Sequence, residues 1–147
     1  MKNESYSAFI QAAASPHDVF NLVTDIPKWW TKDVEGQTTK LNGEFIIRHG
    51  EVHYSKQKLI EVIPDKKLAW LVTDCRLNWL EKNKTEWTNT KMIFEITPKG
   101  KMTELKFTHE GLVPQLECYS RVVKSWDIVI REQLYNLMIN GSRESTI

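Results

Sequence analysis

The sequence predicts an α+β fold, a curved antiparallel β-sheet wrapped around a long C-terminal α-helix, with a short helix near the N-terminus. Three observations carry this expectation. Alternating apolar and polar runs follow one another at short spacings, which suits antiparallel pairing. The last part of the chain, from Pro114 to Gly141, repeats apolar residues at steps of three and four. The order of strand, helix, several hairpin strands and long helix shows no βαβ alternation and no internal repeat, so residues 1–147 read as a single domain.

Tyr6, Ala8, Ile10 and Ala12 share one face of a first strand, with Ser7, Phe9 and Gln11 on the other. Ser15 then supplies a helix N-cap, Pro16 the first helical residue, and Asp18 the acidic partner of a variant capping box. This helix carries Val19, Phe20, Leu22 and Val23 and is expected to stop at Pro27, which pushes Ile26 out of helical conformation. The polar stretch from Lys32 to Gly43 reads as a loop. A strand begins at Phe45 to Ile47, reverses at Gly50, and is followed by Val52 to Ile63.

Pro64 to Lys67 form a turn into Leu68 to Cys75, where Trp70 and Val72 share a face. Arg76 to Asn89 shows no period and is read as a long connection. Thr90 to Thr97, with Met92, Phe94 and Ile96 on one face, pairs through a turn at Pro98 to Lys101 with Thr103 to His109. The final helix is expected to start at Pro114, run about seven turns and stop at Gly141. Leu116, Tyr119, Val123, Trp126, Ile130, Leu134 and Leu137 form its apolar face, and Glu117 with Arg121 and Asp127 with Arg131 its charged pairs. A twisted sheet needs its concave face covered, and no other element is long and apolar enough to cover it.

Bulk properties exclude several function classes. Hydrophobic residues at 41% and charged residues at 27% are those of a folded chain. A formal charge of +1 gives no net field to attract nucleic acid or anionic lipid, so neither is expected as a partner. No stretch reaches the ~20 apolar residues of a membrane span, and none follows Lys2, so a cytoplasmic location is expected. The two cysteines, Cys75 and Cys118, are read as reduced, buried thiols.

Catalytic motifs are missing. His109 and Glu110 lack the second histidine of a zinc hydrolase and point to opposite faces of a strand. His49 and His53 are about 13 Å apart on extended chain unless the bend at Gly50 shortens that distance. There is no nucleophile elbow, phosphate loop or CxxC pair, so no metal, no cofactor and no catalytic residue is expected. An enzyme would have to use isolated groups such as Glu51, His53, Asp74 or His109 facing a cavity.

The six tryptophans are the most informative feature, because rigid rings can fill a core or line one. A long helix across a curved sheet is hard to pack without a void, and pockets of about 300 to 1,000 Å³ form in such places. The expected walls are Trp29, Tyr54, Trp70, Phe94, Phe107, Tyr119, Val123 and Trp126, and His109, read as a hydrogen-bonded core residue, is included among the candidate ligand-binding residues. Trp29 and Trp30 are adjacent at the mouth, so one is expected to be buried and the other partly exposed.

The stretch SPHDVFNLVTDIPKWW, with Val19, Phe20, Thr24, Trp29 and Trp30, and the stretch FTHEGL at Phe107 to Leu112, followed by Cys118, Tyr119, Trp126, Leu134 and Gly141, resemble the START-like (SRPBCC) superfamily. Within it they are most similar to the domain named for the activator of the Hsp90 ATPase. The resemblance covers nearly the whole chain and implies a helix-grip fold with a cavity between sheet and helix. It does not imply a single activity, and the first expectation, drawn from the rings and the cavity, is a module that binds a small hydrophobic or aromatic molecule. The resemblance adds two alternatives: a chaperone-contacting surface, ranked lower because the co-chaperone also relies on a separate N-terminal domain, or a cyclase- or hydrolase-type enzyme using the same cavity. Fold alone does not choose between them.

Overall fold

The computed structural model describes residues 5–144. Among them, β1 (Tyr6–Ala12), β2 (Val34–Gly36), β3 (Glu44–His49), β4 (His53–Ile63), β5 (Lys67–Leu77), β6 (Lys91–Lys99) and β7 (Met102–Glu110) form one sheet in the order β1-β7-β6-β5-β4-β3-β2. Every neighbouring pair is antiparallel. Along β1, buried and exposed residues alternate without a break, as the period of two requires.

Between β4 and β5 the register skips Thr73 on one strand and Ile60 on the other. An extra residue on one strand bends it and increases its twist. Inward-facing residues of this curved sheet include Ala8, Leu105, Phe107, Phe94, Trp70, Leu59 and Phe45, all buried in one continuous core.

α1 (Pro16–Thr24) begins as the sequence dictates: the Ser15 side chain accepts the N–H of Asp18, and Pro16 occupies the first turn. Pro27 does not keep Ile26 out of helical conformation, however. A new short helix, α2 (Ile26–Trp29), starts at Ile26 with Pro27 in its first turn, where a missing N–H leaves no carbonyl unpaired. The polar stretch after it is not wholly a loop. It contains β2, whose edge pairing to β3 was invisible in three residues of mixed polarity.

The C-terminal helix starts later than Pro114. Residues 113–118 form successive tight turns, with N–H bonds from Leu116 to the Val113 carbonyl and from Tyr119 to the Leu116 carbonyl. The helix then runs as α3 (Tyr119–Trp126), a π-helical segment (Asp127–Leu134) and α4 (Tyr135–Glu144). Gly141 lies inside α4 and is not its stop. Asp127 and Arg131 pair at 3.2 Å as expected, but Glu117 precedes the helix and bonds elsewhere, so it is not the partner of Arg121.

Cys118, Val122, Trp126, Ile130, Leu134 and Met138 form a buried line at a spacing of four along this helix and the turn before it, with Val129 buried beside it. Val122, not Val123, therefore faces the sheet. In a pure α-helix each four-residue step rotates by about 40°, and the four steps from Val122 to Met138 would carry the apolar line by about 160° toward solvent. The wider π turns absorb that drift, because their i→i+5 bonding puts more residues in each turn.

Candidate functional site

A cavity of about 510 Å³ opens at one end of the sheet, between the β3–β4 turn, the segment joining β5 to β6, Trp30 after α2, and the first turns of α3. Four tryptophans line it: Trp30, Trp79, Trp87 and Trp126. Trp87 and Trp126 stack with centroids 6.1 Å apart and ring planes 14° from parallel, and Trp30 leans on Trp126 at 5.0 Å. The rest of the lining is His49, Val52, His53, Arg121, Val122 and Ser125.

Each wall has a local cause. Gly50, with φ of 55°, makes the tight reversal that sets His49 directly across from His53. Their rings lie 5.5 Å apart, far closer than extended chain would place them, because the hairpin folds the two positions back on one another. No group of three or more His, Cys, Asp or Glu that could hold a metal ion occurs among the described residues. Beneath them, alternate residues of β4 form a buried polar row: His53 Nε2 lies 2.9 Å from Ser55 Oγ, which accepts the Gln57 amide at 2.6 Å.

The aperiodic connection between β5 and β6 folds into turns that present Trp79 and Trp87. Two carboxylates fasten it to the start of the helix reciprocally. Glu117 accepts the backbone N–H groups of Glu81, Lys82 and Asn83 at 3.1, 3.0 and 3.4 Å, and Glu86 accepts those of Glu117 and Cys118 at 2.8 and 3.0 Å. The amides hold the Glu117 carboxyl below its usual range. Arg121 lies over the Trp79 ring at 5.1 Å.

Behind the cavity wall, Trp126 Nε1 donates to His109 Nδ1 at 3.0 Å, and His109 Nε2 lies 2.9 Å from Thr90 Oγ1. The Thr90 hydroxyl itself donates to the Trp87 carbonyl at 2.6 Å, so His109 must be the donor to Thr90. This network fixes the two stacked tryptophans from behind. Burial pushes His109 down to about 3, and burial together with neighbouring His49 pushes His53 down to about 3. His49 is also lowered by burial, against the opposing pull of Asp33.

Of the nine residues expected to line a pocket, the structure places Trp126 in the cavity wall and His109 directly behind it. Trp29, Trp70, Phe94 and Phe107 pack in the core, and Trp29 Nε1 donates to the Leu22 carbonyl at 2.9 Å. Tyr54 lies on the outer face, because inward and outward positions alternate and His53 and Ser55 hold the inner ones; its hydroxyl reaches Asp74 and its ring meets Arg48. Tyr119 and Val123 are half-buried on the helix and outside the lining. Trp29 is buried and Trp30 half-buried, matching the division expected of the pair, and Trp30 is the one that reaches the cavity. Among the remaining lining residues, Trp79 and Trp87 fall in the stretch with no period, where only their residue type was a signal.

The two cysteines are buried and unpaired; burial raises the Cys75 thiol, and burial with Glu86 pushes the Cys118 thiol up to about 12. No helix among the described residues is long and apolar enough to cross a membrane.

The chain is similar to solved structures along most of its length. The solution structure of the Aha1 dimer from Colwellia psychrerythraea shares 18% identity with a TM-score of 0.74, covering 91% of this chain and 95% of that one. The crystal structure of protein MLL2253 from Mesorhizobium loti shares 17% identity with a TM-score of 0.70, covering 90% and 96%. DynU16, a protein in the dynemicin biosynthetic locus, shares 12% with a TM-score of 0.64, covering 92% of this chain and 47% of that one. Comparison with curated proteins finds no match. At these identities the structural likeness establishes the helix-grip fold, while the family model described as Activator of Hsp90 ATPase homolog 1-like protein matches residues 13–138. Sheet, gripping helix and sequence thus agree, and the chain belongs to the Activator of Hsp90 ATPase homolog 1-like family.

Proposed function

We propose that the protein holds a small apolar or aromatic molecule in the cavity at the open end of the grip. The observation that carries this reading is the set of four tryptophan rings facing a space of about 510 Å³. That volume falls in the range of small-molecule sites, which combine apolar walls with a few placed polar groups. Here those groups are His49, His53, Ser125 and Arg121. Burial of His53 favours an uncharged imidazole at neutral pH, suited to a hydrogen bond with a ligand and poorly suited to taking a proton as a general base. Contact with a chaperone is supported by family membership alone.

A panel of aromatic metabolites, sterols and fatty acids titrated against intrinsic fluorescence tests this reading. A ligand of this site quenches tryptophan emission saturably and raises the melting temperature. Ser125→Trp, which adds a large side chain at an exposed part of the lining, is expected to abolish both effects. If the whole panel leaves emission and melting temperature unchanged, the cavity is not a ligand site.

A further inference from the structure

We infer that the ligand of this cavity is an aromatic acid, a flat apolar body carrying one carboxylate-like anion, with the anion held by Arg121 at the mouth and the rings lying against Trp87 and Trp126. The inference rests on the binding reading above and narrows it to a chemical class.

Arg121 is the charged side chain in a wall otherwise made of tryptophan, valine, serine and uncharged histidine, and no carboxylate lines the cavity among the described residues. The cavity therefore presents one uncompensated positive charge beside an apolar surface. Arg121 is also left without an acidic partner among the described residues. The acid four residues before it, Glu117, faces the backbone N–H groups of Glu81, Lys82 and Asn83 instead. No carboxylate oxygen lies within 4.0 Å of the Arg121 guanidinium among the described residues, whereas Arg48 and Arg131 each have one.

The guanidinium is nevertheless positioned. It lies over the Trp79 ring at 5.1 Å, and Trp79 belongs to the segment that Glu117 and Glu86 pin to the start of the helix. A contact with a ring face uses none of the guanidinium's N–H donors, and those donors match the two oxygens of a carboxylate or the oxygens of a sulfonate. In the same lining, the nearly parallel Trp87 and Trp126 rings offer an apolar surface, held from behind by the His109 and Thr90 hydrogen bonds. A ligand with rings at one end and an anion at the other satisfies both features together.

Anilinonaphthalene sulfonate and phenylnaphthylamine share the same rings and differ by the sulfonate, so their relative affinity isolates the charge. The native chain is expected to bind the anionic probe about tenfold more tightly, the effect of one charge-assisted pair at a partly exposed site. Arg121→Met is expected to bring the ratio of the two affinities to about one, whatever its effect on either affinity alone, and Arg121→Lys to restore part of the preference. Arg121 is exposed, so neither variant threatens the fold. Equal affinity of the two probes for the native chain, or a preference that survives in Arg121→Met, overturns the inference and leaves the cavity reading standing. Failure of both probes to bind, or binding of both that Ser125→Trp does not disturb, removes the cavity reading and this inference with it.

Discussion

His109 tolerates one protonation state. Its Nδ1 accepts from Trp126 and its Nε2 donates to Thr90, so a second proton would set two donors against each other inside the core. Gly111 permits this arrangement: at φ of 100°, a Cβ there would lie 2.9 Å from Thr90 Cγ2 and would push that side chain off its partner. His53 is likewise held uncharged by burial. Both histidines have folded values of about 3, below the 6.5 of the unfolded chain, so the unfolded chain takes up more protons in that interval. Their contribution is complete above pH 6.5 and is lost as pH falls toward 3. Urea unfolding should therefore show a loss of about 2 kcal/mol per histidine between pH 7 and pH 5, and His53→Gln should remove about half of the slope.

Tyr6 behaves with the opposite sign. Its buried hydroxyl donates to Asp127, which also accepts from Arg131, and burial followed by that carboxylate pushes the phenol up to about 12. Its contribution is present below pH 10 and is lost as pH rises toward 12. Tyr6→Phe should cost about 1–2 kcal/mol at neutral pH and flatten the alkaline limb of the stability profile. An alkaline limb of unchanged slope in that variant would show that Tyr6 does not produce it.

At the scale of elements, alternation read from the sequence located β1, β6 and β7 with their inward faces, since a half-buried strand must repeat every two residues. The capping residues of α1 were equally plain, because a cap is a local interaction. Errors arose where a distant residue decides. Pro114 has the local properties of a helix start, yet the helix begins after Glu86, 31 and 32 residues upstream, has taken up the amides of Glu117 and Cys118. Glu86→Ala should cost about 1 kcal/mol, the value of a helix cap, and should speed hydrogen exchange at those two amides. Exchange there at the native rate would show that the carboxylate does not hold the segment. The π-helical segment has the same character: its four-residue spacing is visible in the buried positions, but only the sheet tells which of the available apolar residues must face inward.

For the whole molecule, the decisive feature is that the aromatic residues divide into two populations. Trp29, Trp70, Phe94 and Phe107 interlock in the core, with Phe107 also 4.6 Å from Trp126, while Trp30, Trp79, Trp87 and Trp126 line the cavity. A filled core resists enlargement and an open cavity tolerates it. Ser125→Trp should therefore leave the melting temperature unchanged or higher, whereas Leu105→Trp, at a fully buried core position, should lower it by several degrees. Equal losses in the two variants would mean that the space at the mouth is not available to a side chain.

The sequence by itself determined the fold class, most strand faces, the first helix and its cap, and the need for a helix to cover the concave sheet, because each follows from periodicity and interactions between near neighbours. The tertiary structure decided which tryptophans line the cavity, that His49 meets His53, and that Glu117 leaves Arg121 without an acidic partner. Those outcomes depend on how segments far apart in the chain fold back against one another, and residue type and spacing do not specify that geometry.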